Sequence, residues 1–394
     1  MGSVERADNE ASAPRTGRSR TADPLRVLLV DVSDRGGIAR YTDCLRRALE
    51  DEGTVVALAA PKARADRGLA LARRVWGPDV SGLARLRLLG RRVAEILPSA
   101  LLLRRAVLRA RCDVVHLHTE VVPAFDHVTL RAVARRTPVV ITAHDPEPLE
   151  GGARNLGRQA RRWREADAVI IHGEGPRRLV EGCAPGVPVY VIPVDLALGS
   201  PGVPRAEARA RLGLDGSPTA LLLGLIRPYK GIGLLADAWP AVAARAPGAR
   251  LLVVGEPYLC PELDRLELLD GVEVRRGFIA EDRFDDWAAA PDVLVLPYHH
   301  GSHSGILHRA VAAGTPVLAS PSLADEVERT GAGAVVPLDA AAWADALVAA
   351  LTGSPPARPP APTGRSTALG TLAVYRDVLA RRAERSRALV DARP

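Results

Sequence analysis

The sequence predicts an α/β protein made of two doubly wound parallel sheets. Three observations carry that expectation. Apolar runs of strand length alternate with helical patterns along most of the chain, and such alternation builds parallel sheets covered by helices on both faces. The rhythm breaks once, from Asp195 to Pro204, where Gly199, Pro201, Gly202 and Pro204 read as a linker, and then restarts. At about 150 residues per domain, a chain of 394 residues suits two such units.

The elements follow in order. Residues 1–25 are polar and lack periodicity, so they read as a disordered tail. Arg26–Val32 is the first strand, and a loop with Arg35, Gly36 and Gly37 leads into a helix from Ile38 to about Glu50. Val55–Leu58 is a second short strand, and residues 80–111 place leucines and arginines at helical spacing. Asp113–His118, Thr137–His144, Ala168–His172 and Val189–Pro193 complete the strands of a first domain over 26–197. In a second domain, 198–365, strands are expected at Thr219–Gly224, Arg250–Gly255, Val272–Phe278, Asp292–Pro297 and Pro316–Ser320. Helices are expected at Gly231–Ala244, Arg283–Ala290 and Ser304–Ala313. After a proline-rich stretch at 354–363, a last helix within 366–394 is placed to return to the first domain.

Composition narrows the function classes. Apolar residues make up 47% and charged residues 25%, which fits a folded domain protein and excludes collagen and coiled coil for the bulk of the chain. The longest apolar runs, such as Ala220–Ile226, fall far short of the roughly 18 residues that span a bilayer. The first 25 residues lack the apolar core of a secretory leader. Cys44, Cys112, Cys183 and Cys260 are widely spaced, with no CxxC pair, which suits a reducing cytoplasm and no cysteine-based metal site. The net charge of +7 is uneven: residues 61–112 hold thirteen Arg or Lys against three Asp or Glu. That excess argues for an anionic partner near the segment rather than for nucleic-acid binding. The preference for Arg over Lys, with abundant Ala, also resembles the coding bias of a high-GC bacterium.

Candidate chemistry lies where strands meet helices, because ligands of such sheets bind at the carboxyl ends of the strands. Gly36-Gly37 lets the backbone approach a ligand at a helix N-terminus, although no GxGxxG dinucleotide fingerprint is present. Arg227 and Lys230, in the stretch Gly224–Ile232, can clamp a diphosphate and offset charge on a leaving group. His303-Ser304-Gly305-Ile306 opens a helix and suits a phosphate or sugar; His299, His300, His303 and His308 fall close together, but no carboxylate or cysteine is near in sequence to complete a metal site. His144 ends a buried strand, a usual place for a catalytic group. His116 and His118 share one face of their strand, and a buried pair of that kind is more often structural.

Taken together, these segments resemble the group 1, or family 4, retaining glycosyltransferases of GT-B architecture, in which two Rossmann-like domains face across a cleft. The matching segments are Gly36-Gly37, Val114–His118, His144, Ile226–Gly231 and Ala312–Ala319, and the likeness covers about residues 26–352. The resemblance implies a nucleotide-sugar donor as substrate in the second domain, with Arg227 and Lys230 on its diphosphate. It implies that Gly36 and Gly37 lie by the phosphates, and that His144 touches the donor sugar. Donor contacts are placed at Arg276, Gly277, Phe278, His303, Ser304, Gly305, Ile306 and Arg309. The acceptor would be a sugar, lipid or natural product. No cofactor or metal is implied, since cations and helix dipoles stabilise the leaving nucleoside diphosphate.

Two features depart from the family pattern. Its Glu-x7-Glu pair falls here on Gly301 and Arg309, and the usual arginine of GRxxxxKG falls on Leu225, two places before Arg227. Two other readings stand beside the transferase: a nucleotide-sugar epimerase or phosphorylase on the same fold, and a non-catalytic nucleotide-sugar-binding relative. Segment 61–112 also has two readings. Arg73, Arg74, Arg85, Arg87, Arg91, Arg92, Arg104, Arg105 and Arg109 among apolar residues could lie peripherally on an anionic membrane at the inner membrane face. Alternatively, its helices pack on the first domain with solvated arginines.

Overall fold

The computed structural model describes residues 23–34, 36–71, 100–121, 126–147, 152–196, 198, 203–301, 303–353 and 362–391. Arg35, residues 1–22 of the expected tail, residues 72–99 of the basic segment and residues 354–361 of the proline-rich stretch lie outside the described residues.

Thirteen described strands form two sheets, parallel throughout. The first holds β1 (Arg26–Val30), β2 (Val55–Pro61), β3 (Ala70–Leu71), β4 (Val114–Leu117), β5 (Val139–Thr142), β6 (Ala168–Ile171) and β7 (Val189–Val191) in the order β3-β2-β1-β4-β5-β6-β7. The second holds β8 (Thr219–Leu223), β9 (Arg250–Gly255), β10 (Val272–Arg276), β11 (Val293–Leu296), β12 (Val317–Ala319) and β13 (Gly333–Val335) in the order β10-β9-β8-β11-β12-β13. The central strands VVIT, AVII and VLVL are buried at every position, as the two covered faces of a parallel sheet require.

Helices cover the first sheet: α1 (Gly37–Asp51), α2 (100–110), α3 (Asp126–Ala134), α4 (Gly152–Trp163) and α5 (Arg177–Cys183). The second sheet carries α6 (Arg205–Leu212), α7 (Ile232–Arg245), α8 (Glu262–Glu267), α9 (Glu281–Ala289), α10 (Gly305–Ala313), α11 (Ala324–Thr330) and α12 (Ala340–Thr352). The last helix, α13 (Arg365–Asp391), packs on α1, and its Ala368, Leu372, Tyr375 and Val378 join Val27, Leu29 and Leu45 in the core of the first sheet.

Each sheet reverses its strand order once, between β1 and β4 and between β8 and β11. At such a reversal neighbouring loops diverge to opposite faces and leave a crevice at the strand ends. Gly36-Gly37 follows β1, His118 follows β4, Arg227 and Lys230 follow β8, and His303 follows β11. The motifs therefore cluster because of the winding of the two sheets.

Candidate active site

On the side of the first sheet, five aromatic and imidazole rings converge. Gly36 has φ +91°, a backbone region open to glycine, and its carbonyl accepts from the Arg40 N–H as α1 begins. One turn on, the Tyr41 ring lies 4.7 Å from His144, 5.2 Å from His172 and 5.4 Å from His118, centroid to centroid. The loop between β1 and α1 is held by Arg64, whose guanidinium donates to Asp31 at 2.8 Å, to the Ser33 carbonyl at 2.5 Å, to the Ala39 carbonyl at 2.9 Å and to Asp43 at 2.7 Å.

The four histidines at the strand ends differ in their partners. His116 is fully buried, and its two ring nitrogens lie 2.7 Å from the Tyr375 hydroxyl and 2.7 Å from the Thr142 hydroxyl. It is structural, tying α13 to β4 and β5. His118, two residues on, is also buried, and neither of its ring nitrogens has a hydrogen-bond partner among the described residues. His144 pairs through Nδ1 with His172 Nε2 at 3.1 Å, and His172 Nδ1 lies 3.1 Å from the Ile192 carbonyl. Burial disfavours the charged imidazole. It pushes His116 down to about 3 and, with the nearby His303 charge, His172 down to about 3. His118 and His144 are likewise held well below the ordinary histidine value by burial and by their neighbouring histidines.

Across the cleft, Lys230 ends the short 3-10 turn Pro228–Lys230. Gly231 follows with φ +75°, and a Cβ there would sit 2.1 Å from the Pro297 carbonyl oxygen, so only glycine lets this turn pack on β11. The turn buries Lys230, whose Nζ lies 3.3 Å from the Leu223 carbonyl and 5.3 Å from the centre of the Tyr298 ring. Among the described residues no carboxylate pairs with it. Burial, and then the neighbouring Arg227, push its pKa down to about 7. Arg227 lies over the Tyr258 ring at 5.0 Å. A Cβ on Gly224 would stand 3.4 Å from both Lys230 Nζ and the Ile306 side chain, which places the two loops against each other.

The start of α10 is organised by a residue the sequence did not single out. Ser304 caps the helix through its hydroxyl, and its own N–H donates to Glu326 Oε2 at 3.0 Å. The other oxygen of Glu326 lies 2.5 Å from His303 Nδ1 and 3.2 Å from His308 Nε2. Burial alone would raise the Glu326 carboxyl, but the two histidines outweigh it and hold it far below the carboxylate range. Burial likewise works against charge on His303, yet Glu326 wins and raises its pKa. His303, His308 and Glu326 are the group among the described residues that could hold a metal ion, with ligating atoms within 4.8 Å of one another. The His303 ring is 4.9 Å from His172, so the imidazole row crosses from one domain to the other. Asp145, next to His144, faces the charges of His303 and Arg227.

The structure thus links His144 to His172 and, by ring contact, to His303, His303 to Ser304 through Glu326, and Lys230 to Ile306 across Gly224, while Gly36 and Gly37 stand one turn before Tyr41, whose ring meets His144. Arg276, Gly277 and Phe278 line a cavity of about 340 Å³ with Trp287 and Arg283. Arg276 there pairs with Glu267 and Asp264, and Phe278 is 55% exposed. Arg309 is buried under the Phe284 ring and bonded to Glu281 and Asp285 of α9. Its guanidinium is committed to that helix.

Residues 35–194 match the family described as Glycosyltransferase Family 4, and residues 217–353 match Glycosyl transferases group 1. A D-inositol 3-phosphate glycosyltransferase of Rhodococcus jostii (strain RHA1) is 33% identical over 216 residues, 46% of this chain and 46% of that protein. The chain spans about half the length of the curated relatives it matches. Among solved structures, sucrose-phosphate synthase from Thermosynechococcus elongatus aligns with a TM-score of 0.62 at 20% identity, over 94% of this chain and 100% of that one. A trehalose-6-phosphate protein from E. coli bound with UDP-2-fluoro glucose aligns with a TM-score of 0.59 at 14% identity, over 90% of this chain and 96% of that one. At these identities the structural likeness is one of fold.

Proposed function

Because the chain belongs to the group 1 glycosyltransferases of GT-B architecture, we propose that it moves a sugar from a nucleotide-sugar donor to an acceptor with retention of anomeric configuration. The observation that carries this reading is Lys230: a buried amine beside Arg227, with no carboxylate partner among the described residues to hold its proton. A buried cation is costly unless an anion pairs with it. The diphosphate of a nucleotide sugar is such an anion, and its charge grows as the bond from the anomeric carbon to the phosphate oxygen breaks. Lys230, Arg227 and the N–H groups of Gly305 and Ile306 at the start of α10 would stabilise that leaving group.

His144 would contact the donor sugar from the first domain as a neutral ring. The acceptor hydroxyl oxygen would then bond the anomeric carbon on the face the phosphate leaves, its proton passing to the departing phosphate oxygen as the anomeric carbon–oxygen bond breaks and the nucleoside diphosphate departs. In this reading the cations replace a metal, so turnover persists in a chelator. Arg276–Phe278 would border the nucleoside. Arg309 stands where the family carries a ribose-binding glutamate and is held by α9, so the ribose would be gripped by another group. We place the reaction in the cytoplasm. The acceptor would be a sugar, lipid or natural product; the relatives named for D-inositol 3-phosphate make a phosphorylated polyol the first to try.

The test is a screen of UDP-, GDP- and ADP-sugars for thermal stabilisation, since a ligand that binds only the folded state raises its melting temperature. It is followed by acceptor-dependent release of the nucleoside diphosphate. One class of donor should stabilise the protein and turn over. Stabilisation by none would remove the reading, and stabilisation without turnover across acceptors would favour a binding protein.

A further inference from the structure

We infer that His172 is a positioning residue that fixes His144 with its proton on Nδ1, so that Nε2 of His144 is a hydrogen-bond acceptor and takes up a hydroxyl of the donor sugar. The second half of this inference rests on the proposed transferase reading; the first half does not.

The argument runs along one chain of hydrogen bonds. His172 Nδ1 lies 3.1 Å from the backbone carbonyl of Ile192. A carbonyl oxygen can only accept, so this nitrogen carries the hydrogen. A neutral imidazole has one N–H, which leaves His172 Nε2 bare. The ring is buried and its other nitrogen faces an imidazole rather than a carboxylate, so nothing there offsets the cost of a charged form. The bare Nε2 lies 3.1 Å from His144 Nδ1, so His144 donates from Nδ1. His144 is itself buried and neutral, so its Nε2 must be bare. That nitrogen is buried and has no hydrogen-bond partner among the described residues.

An unpaired buried acceptor favours whatever ligand group donates to it, because that contact relieves the cost of its burial. A lone pair accepts from O–H or N–H and repels a carboxylate or phosphate oxygen. The pair therefore selects a neutral sugar presenting a hydroxyl at this point, and disfavours the corresponding uronic acid. His172 need not touch the sugar to do this. It acts by choosing which nitrogen of His144 holds the proton.

The experiment labels histidine with 15N and reads the ring nitrogens of the free protein by long-range 1H–15N correlation, with His144 assigned from the His144→Gln spectrum. Protonated and bare ring nitrogens are well separated, so the tautomer is read without any donor. The expected result is His144 protonated at Nδ1 and a shift toward Nε2–H in His172→Phe, reversed in His172→Asn, which restores a carbonyl acceptor. His144 found with its proton on Nε2 in the unaltered protein would overturn the inference, whether or not the variants fold. The second arm compares kcat/KM for a neutral nucleotide hexose and its uronic acid. A preference of at least tenfold for the neutral sugar that shrinks in His172→Phe supports the hydroxyl contact, and equal use of both refutes it. Absence of any donor binding would defeat the transferase reading and the hydroxyl contact with it, and leave the tautomer result standing.

Discussion

Lys230 illustrates how a single residue can be legible in sequence while its chemistry is not. Its place after a buried strand and before a helix marks it as a cleft residue, but the burial that lowers its pKa to about 7 comes from Tyr298 and the β11 loop, distant in sequence. In the proposed reading Lys230→Ala removes a charge-assisted contact that strengthens as the diphosphate leaves. It should cost about 2–4 kcal/mol in kcat/KM; a variant that turns over normally would return Lys230 to a structural role. For His144→Ala, the proposed reading expects a strong fall in kcat with nucleoside diphosphate affinity by calorimetry little changed, because it places the imidazole on the sugar and not on the diphosphate. His172 was harder to single out than His144, although both follow an apolar strand that ends at the crevice. Glu326 carried no signal at all. It lies in α11, 22 residues beyond the Ser304 N–H it accepts from, and only the folded chain shows that it anchors His303.

At the scale of elements, long apolar runs were legible because burial on both faces leaves no alternation to blur them. β1, β5, β6, β8, β9 and β11 lie within the expected ranges. The short exposed edge strand β13, Gly333–Val335, and the two-residue β3 are defined by backbone pairing rather than by side chains, so sequence pattern passes them by. Helices α3 and α4 were missed for a related reason: α4 reads as GARNLGRQARRW, a polar stretch whose buried face includes Arg162 and Trp163. The Arg162 guanidinium is neutralised by Asp126 of α3 at 3.0 Å, a pairing visible only in three dimensions. The returning helix α13 makes a testable element. Its Tyr375 hydroxyl satisfies His116 in the core, so Tyr375→Phe leaves a buried ring nitrogen unpaired and should cost about 1–3 kcal/mol in urea unfolding. An unchanged unfolding midpoint would show that α13 is held by packing alone.

Over the whole molecule, the row of imidazoles couples stability to pH. His116, His118, His144 and His172 are neutral in the folded protein with pKa values depressed from 6.5. Below that value the unfolded chain binds more protons, so stability falls as pH falls. From pH 6.5 to 5.5 the four together should remove about 4 kcal/mol. His303 works the other way: its raised pKa adds stability below pH 6.5 that is lost as pH rises through its folded value. Equal urea stability at the two pH values would refute the neutral assignment. The basic segment is tested separately. Its described helix α2 exposes Leu101 and Leu108 beside Arg104 and Arg105. If these arginines are simply solvated, the protein stays in the supernatant with anionic vesicles at low salt; pelleting that high salt reverses would make this face a membrane contact. The central claim, that a nucleotide sugar from one domain completes the buried charge facing the other, is tested most directly by proton uptake. The diphosphate of a nucleotide sugar has no titrating proton near neutral pH, whereas Lys230, at about 7, is mostly neutral at pH 8. Calorimetry of the stabilising donor at pH 8, in two buffers of different ionisation enthalpy, should show uptake of about 0.9 proton per donor bound, absent in Lys230→Met. Tight binding with no uptake, or the same uptake in Lys230→Met, would contradict it.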